Sequence, residues 1–284
     1  MVSKTTNINP IRRNIHFKLD KTKIKKWKGN NLPISQFFNT LSLFFPEGER
    51  YFIRSVRHFK NQVPEELKPM VKSFIGQEAF HGREHEVLNA FINEANDSQK
   101  FDDFINNLIK KIEKIRSPEM NLAVTISLEH LTATLANALL ETQEHFEDSD
   151  PEYRRMWLWH ALEETEHKSV AFDVYKEVMK DEKLKGYFYR SYALALSSGI
   201  FFTLVSYHYA QILIKDRKEY TKKDLVEFIN YGFLFKPGVV RKALSQWFTW
   251  FKPNFHPWDH DNRYHLEKID SILGEDYEKD KLAA

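Results

Sequence analysis

The chain has 284 residues, with 42 Lys/Arg against 40 Asp/Glu for a net charge of +2, and no cysteine. That length allows one large domain with a buried core, and the lack of cysteine excludes disulfides, thiolate metal sites and a cysteine nucleophile. Only nine Gly and ten Pro, with few alternating Val/Ile/Thr runs, predict a mostly helical chain in which any metal is held by oxygen and nitrogen.

Charge is spread unevenly. Residues 1–28 carry nine basic side chains (Lys4, Arg12, Arg13, Lys18, Lys21, Lys23, Lys25, Lys26, Lys28) against Asp20 alone, so this segment is +8 and the remainder −6. Such a run either touches an anionic surface or is simply solvated, and the solvated reading is the commoner one. We take residues 1–32 as a basic arm. It lacks the apolar run of a signal peptide, which predicts a cytoplasmic protein.

Asn31-Leu-Pro33 marks a helix start, and the apolar run from Phe37 to Phe45 stops at Pro46, in the first turn of a second helix over about 46–60. That helix turns Glu49, Phe52, Ile53 and Val56 inward and leaves Glu47 with Arg50 and Arg54 on a more polar face. Pro64 and Pro69 delimit the start of a third helix running to about Ala95, with Val71, Phe74, Ile75, Glu78, His81, His85 and Leu88 on one face. A crossover follows, with a short amphipathic helix at about 101–115. Ser117-Pro118 then supplies a cap and a first-turn proline for a helix to about Phe146, on which Thr125, Glu129, Thr132, Ala133 and Ala136 lie side by side and leave room. Asp150-Pro151 starts the next helix by the same chemistry, running to about Met179, with Trp157, His160, Glu164, His167 and Ala171 on a shared face.

A buried charge is costly unless paired or bound to a cation, so inward Glu and His side chains predict a metal. Glu49 lies 29 residues before Glu78, and Glu129 lies 35 before Glu164. Each gap fits one helical hairpin with a short turn.

Residues 191–214 form 24 residues without a formal charge, long enough to cross a bilayer, with Tyr187, Tyr189 and Tyr192 at one end and Tyr207 and Tyr209 near the other. Lys183, Lys185 and Arg190 before it, and Lys215, Arg217 and Lys218 after it, fit poorly with a single crossing. A long helix buried against the bundle is the preferred reading. Beyond it, Thr221 caps one short helix and Pro237 opens another, amphipathic through Val240, Leu244, Trp247, Phe248 and Phe251. The turn containing His256, Asp259 and His260 is expected to fasten the C-terminal segment, before a final helix over about 262–273.

Glu, Glu-x-x-His, Glu, Glu-x-x-His on four helices resembles the ligand set of ferritin-like di-iron and di-manganese carboxylate bundles. Phe45-Pro-Glu-Gly-Glu-Arg50, Gln77-Glu-Ala-Phe-His-Gly-Arg-Glu-His85, Glu129-His, Trp159-His-Ala-Leu-Glu-Glu-Thr-Glu-His-Lys168, Ala171-Phe-Asp-Val-Tyr175 and Phe255-His-Pro-Trp-Asp259 resemble a bacterial family labelled predicted metal-dependent hydrolases, over roughly residues 33–262. The resemblance implies an all-α fold: a ferritin-like four-helix bundle with one crossover at 33–180, plus additional C-terminal helices over 181–284.

It also implies six ligands, Glu49, Glu78, His81, Glu129, Glu164 and His167, for two divalent ions, iron or alternatively manganese. The bridging carboxylates would come from Glu78 and Glu129 or from Glu49 and Glu164. Ferritin-like enzymes often place an acidic residue just before the Glu of each Glu-x-x-His to hold a metal-bound His. Here those positions are Glu163 and Gln77; the latter is not acidic, and Asp173 is an alternative partner. His85, His160 and Glu163 are the candidate catalytic residues, and His85, His130 and His160 are open to hydrogen bonding, ligation or proton transfer.

The implied activity is a di-iron, oxygen-dependent oxidoreductase acting on a small apolar, lipid-like substrate. The alternatives are a hydrolase using a two-metal-activated water and a non-catalytic metal-binding protein. An oxygenase would need an electron donor, and a homodimer and peripheral contact with the inner face of the membrane are compatible with the pattern. No Gly-rich phosphate loop or Gly-x-Ser-x-Gly elbow is present, and no nucleic-acid partner is expected.

Overall fold

The computed structural model describes residues 8–234 and 238–274, together with the backbone of 278–279. Lys4 of the basic arm and Pro237, expected to open a helix, lie outside the described residues. The helices are α1 (Leu32–Ser42), α2 (Phe45–His58), α3 (Lys68–Asn96), α4 (Gln99–Ile115), α5 (Pro118–Leu140), α6 (Pro151–His167), α7 (Val170–Val178), α8 (Lys183–Lys215), α9 (Lys222–Gly232), α10 (Val239–Trp247) and α11 (Ile269–Leu273). Among the described residues, strand pairing is confined to β1 (Arg13–Asn14) against β2 (Glu278–Lys279) and one bridge between Lys28 and Ser149. The fold is all-α, as the composition predicts.

Helices start where side chains can satisfy the unpaired N–H groups of a first turn. Asn31 accepts from Ile34 N, Ser117 from Met120 N, Asp150 from Glu152 N, and Thr221 exchanges hydrogen bonds with Asp224. Helix α2 lies along α3 and α5 along α6, while α2 also meets α5 and α3 meets α6 and α7.

Two apolar clusters form the core. One gathers Trp27, Phe38, Leu88, Ile92, Leu139, Phe146, Tyr153 and Trp157; the other gathers Phe52, Val56, Phe74, Leu122, Ile126, Phe172 and Trp250. Helices α3 and α5 contribute to both, and α6 hands over to α7 between them. The Glu and His residues of the paired motifs occupy the stretch of each helix between its two apolar contributions. A polar layer is thereby enclosed by hydrophobic packing from both sides.

Several helix ends differ from the expected ones: the final helix expected over about 262–273 is a 3-10 segment at Arg263–Lys268 before the short α11, and the amphipathic helix expected to take in Phe251 ends at Trp247 before a 3-10 turn at Phe248–Phe251. The segment predicted as one helix from 150 to about Met179 breaks at Lys168 and Ser169 into α6 and α7. At the break, Lys168 donates to the His260 carbonyl at 2.6 Å and to Asn262 Oδ1 at 2.7 Å, and lies 3.9 Å over the Trp258 ring. The helix predicted to reach Phe146 ends at Leu140, with a 3-10 turn over Gln143–Phe146.

Helix α8 packs through Ala193, Leu194, Val205, Tyr209 and Ile212 but exposes Leu184, Phe188, Tyr192, Ile200, Tyr207 and Ile214, so it is one-sided rather than buried. By length and composition α5 and α8 could each cross a membrane; most of the α5 window is buried in the fold, whereas only 33% of the α8 window is.

The basic arm is not solvated along its length, because Arg13, Ile15, Phe17, Ile24, Trp27 and Lys28 are all buried. Its charges find acids from elsewhere: Lys23 pairs with Asp150, Lys25 with Asp216 and Glu219, Lys28 with Asp148. Trp27 stacks on Tyr153 at 5.3 Å, meets Phe38 and Phe146 edge-on, and donates its indole N–H to Asn39. Trp27→Ala should therefore cost about 3–5 kcal/mol of stability by urea denaturation, the loss typical of a core tryptophan. A loss near zero would mean the arm is an appendage.

Candidate metal centre

Glu49 reaches inward from α2, Glu78 and His81 from α3, Glu129 from α5, and Glu164 and His167 from α6; all six are buried. Helices α2 and α3 approach closely at Gly82, where a Cβ would stand 3.1 Å from Glu49 Oε2 and crowd that carboxylate. His167 Nε2 lies 3.0 Å from Glu78 Oε1, 3.5 Å from Glu129 Oε2 and 3.6 Å from Glu164 Oε1. His81 Nδ1 is 3.9 Å from the same Glu164 oxygen. Ligand atoms of Glu49, Glu78 and His81 fall within 4.8 Å of one another, as do those of Glu78, Glu164 and His167. Glu78 and Glu164 are thus the carboxylates near both motif histidines, one from each of the two pairs named as bridge candidates.

The hydrogen-bond directions around each imidazole decide which nitrogen is bare. Gln77 uses its Nε2 to donate to the Ile11 carbonyl and to Glu166 Oε2, so its Oε1 accepts from His167 Nδ1–H at 2.9 Å. His81 Nε2 lies 3.1 Å from Glu163 Oε2, a natural acceptor for Nε2–H. In both rings the inward nitrogen then presents a lone pair to carboxylate oxygens. Among the described residues, both oxygens of Glu49, Glu78 and Glu129, together with His81 Nδ1 and His167 Nε2, find no hydrogen-bond partner. Buried acceptors facing acceptors are unfavourable unless a cation lies among them. The donor set fits divalent metal of the kind bound by carboxylate and imidazole.

Gln77 and Glu163 thus each serve the histidine on the opposite motif helix. Asp173, the alternative partner, instead accepts from His256 Nε2 at 3.1 Å, so that expectation is corrected. Among the described residues no arginine forms an ion pair with Glu49; Arg50 and Arg54 pair with Glu47 as the helix face predicts. His130 stacks on Trp250 away from the centre, with its pKa pushed down to about 3 by burial. His256 and Asp259 close a capped turn, and the His260 carbonyl holds Lys168, so this segment fastens the C-terminal region to α7 and the α6 end.

A family model described as a predicted metal-dependent hydrolase matches residues 11–261. The chain belongs to this family. No curated protein and no solved structure gives a significant match. The family match begins at Ile11 and so takes in residues 11–32 of the basic arm. There Arg13 donates to Glu163 Oε1 and to both oxygens of Glu166, and Ile11 N donates to Glu166. Arg13 therefore holds the carboxylate that orients His81, while Glu166 anchors the amide that orients His167. The sequence signal for this packing is the alternation of apolar Ile15 and Phe17 with polar neighbours inside the basic run.

A cavity of about 180 Å³ opens beside the centre, where Glu49, His160 and Glu164 form part of its wall. The rest is largely apolar, including Leu41, Phe45, Phe52, Ile109, Leu135 and Phe201. Thr132, on the expected roomy face of α5, lines it and donates to Glu164 Oε2 at 2.6 Å.

Burial, and then repulsion from Glu78 and Glu164, push Glu49 and Glu129 well above the ordinary carboxylate range. Burial also raises Glu78, against the opposing pull of His167. Glu163 is pushed by burial up to about 8 even with Arg13 beside it. Burial works against charge on His167, but Glu164 and Glu78 outweigh it and hold the ring well above its ordinary value of 6.5. Protons on these groups take the place of a cation. His81 and His85 are lowered by burial and then by His160, and Glu164 is lowered because His167 and His160 outweigh burial.

Above about pH 7.5 Glu164, His81 and His85 are in nearly the same state folded and unfolded. Lys168, lowered by burial to about 7, acts the other way but does so with or without metal, so the raised groups of the centre set the difference between the two forms. Their protons are kept in the fold and lost on unfolding, so their stabilisation disappears as pH rises. Relative to metal-loaded protein, metal-free protein should lose stability from pH 7.5 to about 9, and loading should release protons. Urea midpoints across that range, with and without metal, check this, and parallel curves would refute it.

Proposed function

We propose that this chain is a two-metal carboxylate enzyme, a di-iron oxidoreductase that uses dioxygen on a small apolar, lipid-like substrate lodged in the cavity. The observation that carries the reading is the junction of the two features: a carboxylate-rich donor set of the ferritin-like type, flanked on one side by a largely apolar cavity. Bound among these donors, iron would supply the reducing equivalents for dioxygen. The chain's own part is positional. Glu163 and Gln77 fix the tautomers of His81 and His167, Thr132 fixes one oxygen of Glu164, and the apolar walls keep bulk water from the centre. Insertion of one oxygen atom, with the other leaving as water, takes four electrons, two of them from the substrate. A separate electron donor supplies the other two.

The second reading is a hydrolase, and the family description favours it. There the two ions would lower the pKa of a bound water. Anaerobic loading with Fe(II) followed by air separates the two. The oxidoreductase reading expects two irons per chain and an oxidation signal in the visible spectrum. Fewer than two bound metals with no such signal would sink it, while turnover of ester or amide substrates without dioxygen, supported by Zn(II) or Mg(II), would establish the hydrolase. Glu78→Ala and Glu164→Ala should each abolish stoichiometric metal binding yet retain the helical circular-dichroism spectrum, because removing a carboxylate also relieves repulsion in the metal-free core.

A further inference from the structure

We infer that His160 is a seventh metal donor, which makes the two metal positions chemically unequal. This rests on the two-metal reading above. Its basis is a hydrogen-bond chain whose direction is fixed from its far end. Asn89 Nδ2 donates to the Ser42 backbone carbonyl at 3.2 Å, which leaves Asn89 Oδ1 to accept from Ser42 Oγ–H at 2.6 Å. With its single hydrogen so committed, Ser42 Oγ can only accept from His85 Nδ1, 2.8 Å away. A neutral His85 then has a bare Nε2, which accepts from His160 Nδ1–H at 2.7 Å.

The last link therefore leaves Nε2 of a neutral His160 as a lone pair. It lies 3.1 Å from Glu164 Oε1 and 3.9 Å from Glu49 Oε1, both of them acceptors. A divalent ion held among these oxygens would meet that lone pair. His81 and His167 show the same arrangement, outward nitrogen tied to an acceptor and inward nitrogen among carboxylates. It is the usual support for a metal-bound histidine.

His160 also has a definite side. Its ring stacks on His81 with centroids 4.2 Å apart, and its ligand atom groups with those of His81 and Glu164, whereas His167 groups with Glu78 and Glu164. One position therefore carries two imidazoles, from His81 and His160, and the other carries one, from His167, with Glu129. Glu49, His160 and Glu164 line the apolar cavity, and His81, Glu129 and His167 do not, so the nitrogen-richer position is the one that faces it.

The test uses full-length protein, Mn(II) titration followed by calorimetry, and electron-nuclear resonance counting of bound nitrogen after 15N-histidine labelling. Wild type should bind two ions with three directly bound imidazole nitrogens. His160→Phe, which preserves a ring against His81, should weaken one binding step by more than about 100-fold and remove one nitrogen, leaving the other step intact. His85→Ala should weaken that same step by roughly 10- to 100-fold with the nitrogen count unchanged. Two bound ions with only two nitrogens in wild type would overturn the inference while leaving the two-metal reading standing, and so would unchanged titration of folded His160→Phe. Fewer than two ions in wild type would overturn both.

Discussion

Four carboxylates, Glu49, Glu78, Glu129 and Glu164, face one another in the interior, and among the described residues their close partners are histidines rather than lysine or arginine. Like charges at such distances, shielded from water, repel far more strongly than on a surface, and each also loses its hydration. The metal-free chain meets this with protons, held on raised carboxyl groups and on His167. Divalent ions meet it without protons. The rest of the molecule reads as a means of holding that unfavourable cluster in place, with an apolar cluster packed on either side of the polar layer.

Holding the cluster also requires that each imidazole present the correct nitrogen. The ties that do so run outward and across the fold: His81 to Glu163 and Arg13, His167 to Gln77 and Glu166, His160 to His85 and Ser42. Arg13 and Glu166 join the first two ties into one network. A buried ion pair contributes little net stability after its desolvation cost. What the network contributes is orientation, and it draws the basic arm into the structure of the centre.

The surroundings of the centre are unequal. On the arm side its neighbours are buried ion pairs and amides; on the side of α1, α4 and α8 they are the apolar cavity walls. Ile200, at the cavity wall, also belongs to the exposed apolar face of α8, so the largely uncharged helix borders the cavity on one face and solvent on the other.

Helical periodicity was enough to place Glu49, Glu78, His81, Glu129, Glu164 and His167 on inward faces, because spacings of three and four residues are local and survive folding unchanged. Caps at Asn31, Ser117, Asp150 and Thr221 are local for the same reason. The sequence alone therefore determined that the chain is helical, where most helices start, their inward polar stripe and the kind of chemistry that stripe demands. Tertiary structure decided what lies behind it. The Arg13 ties span about 150 residues, the Ser42 to Asn89 bond spans 47, and the break at Lys168 coincides with contacts more than 90 residues away. Such bonds depend on which surfaces meet, and a hydrogen-bond direction depends on the whole chain of partners, so no short-range pattern encodes either.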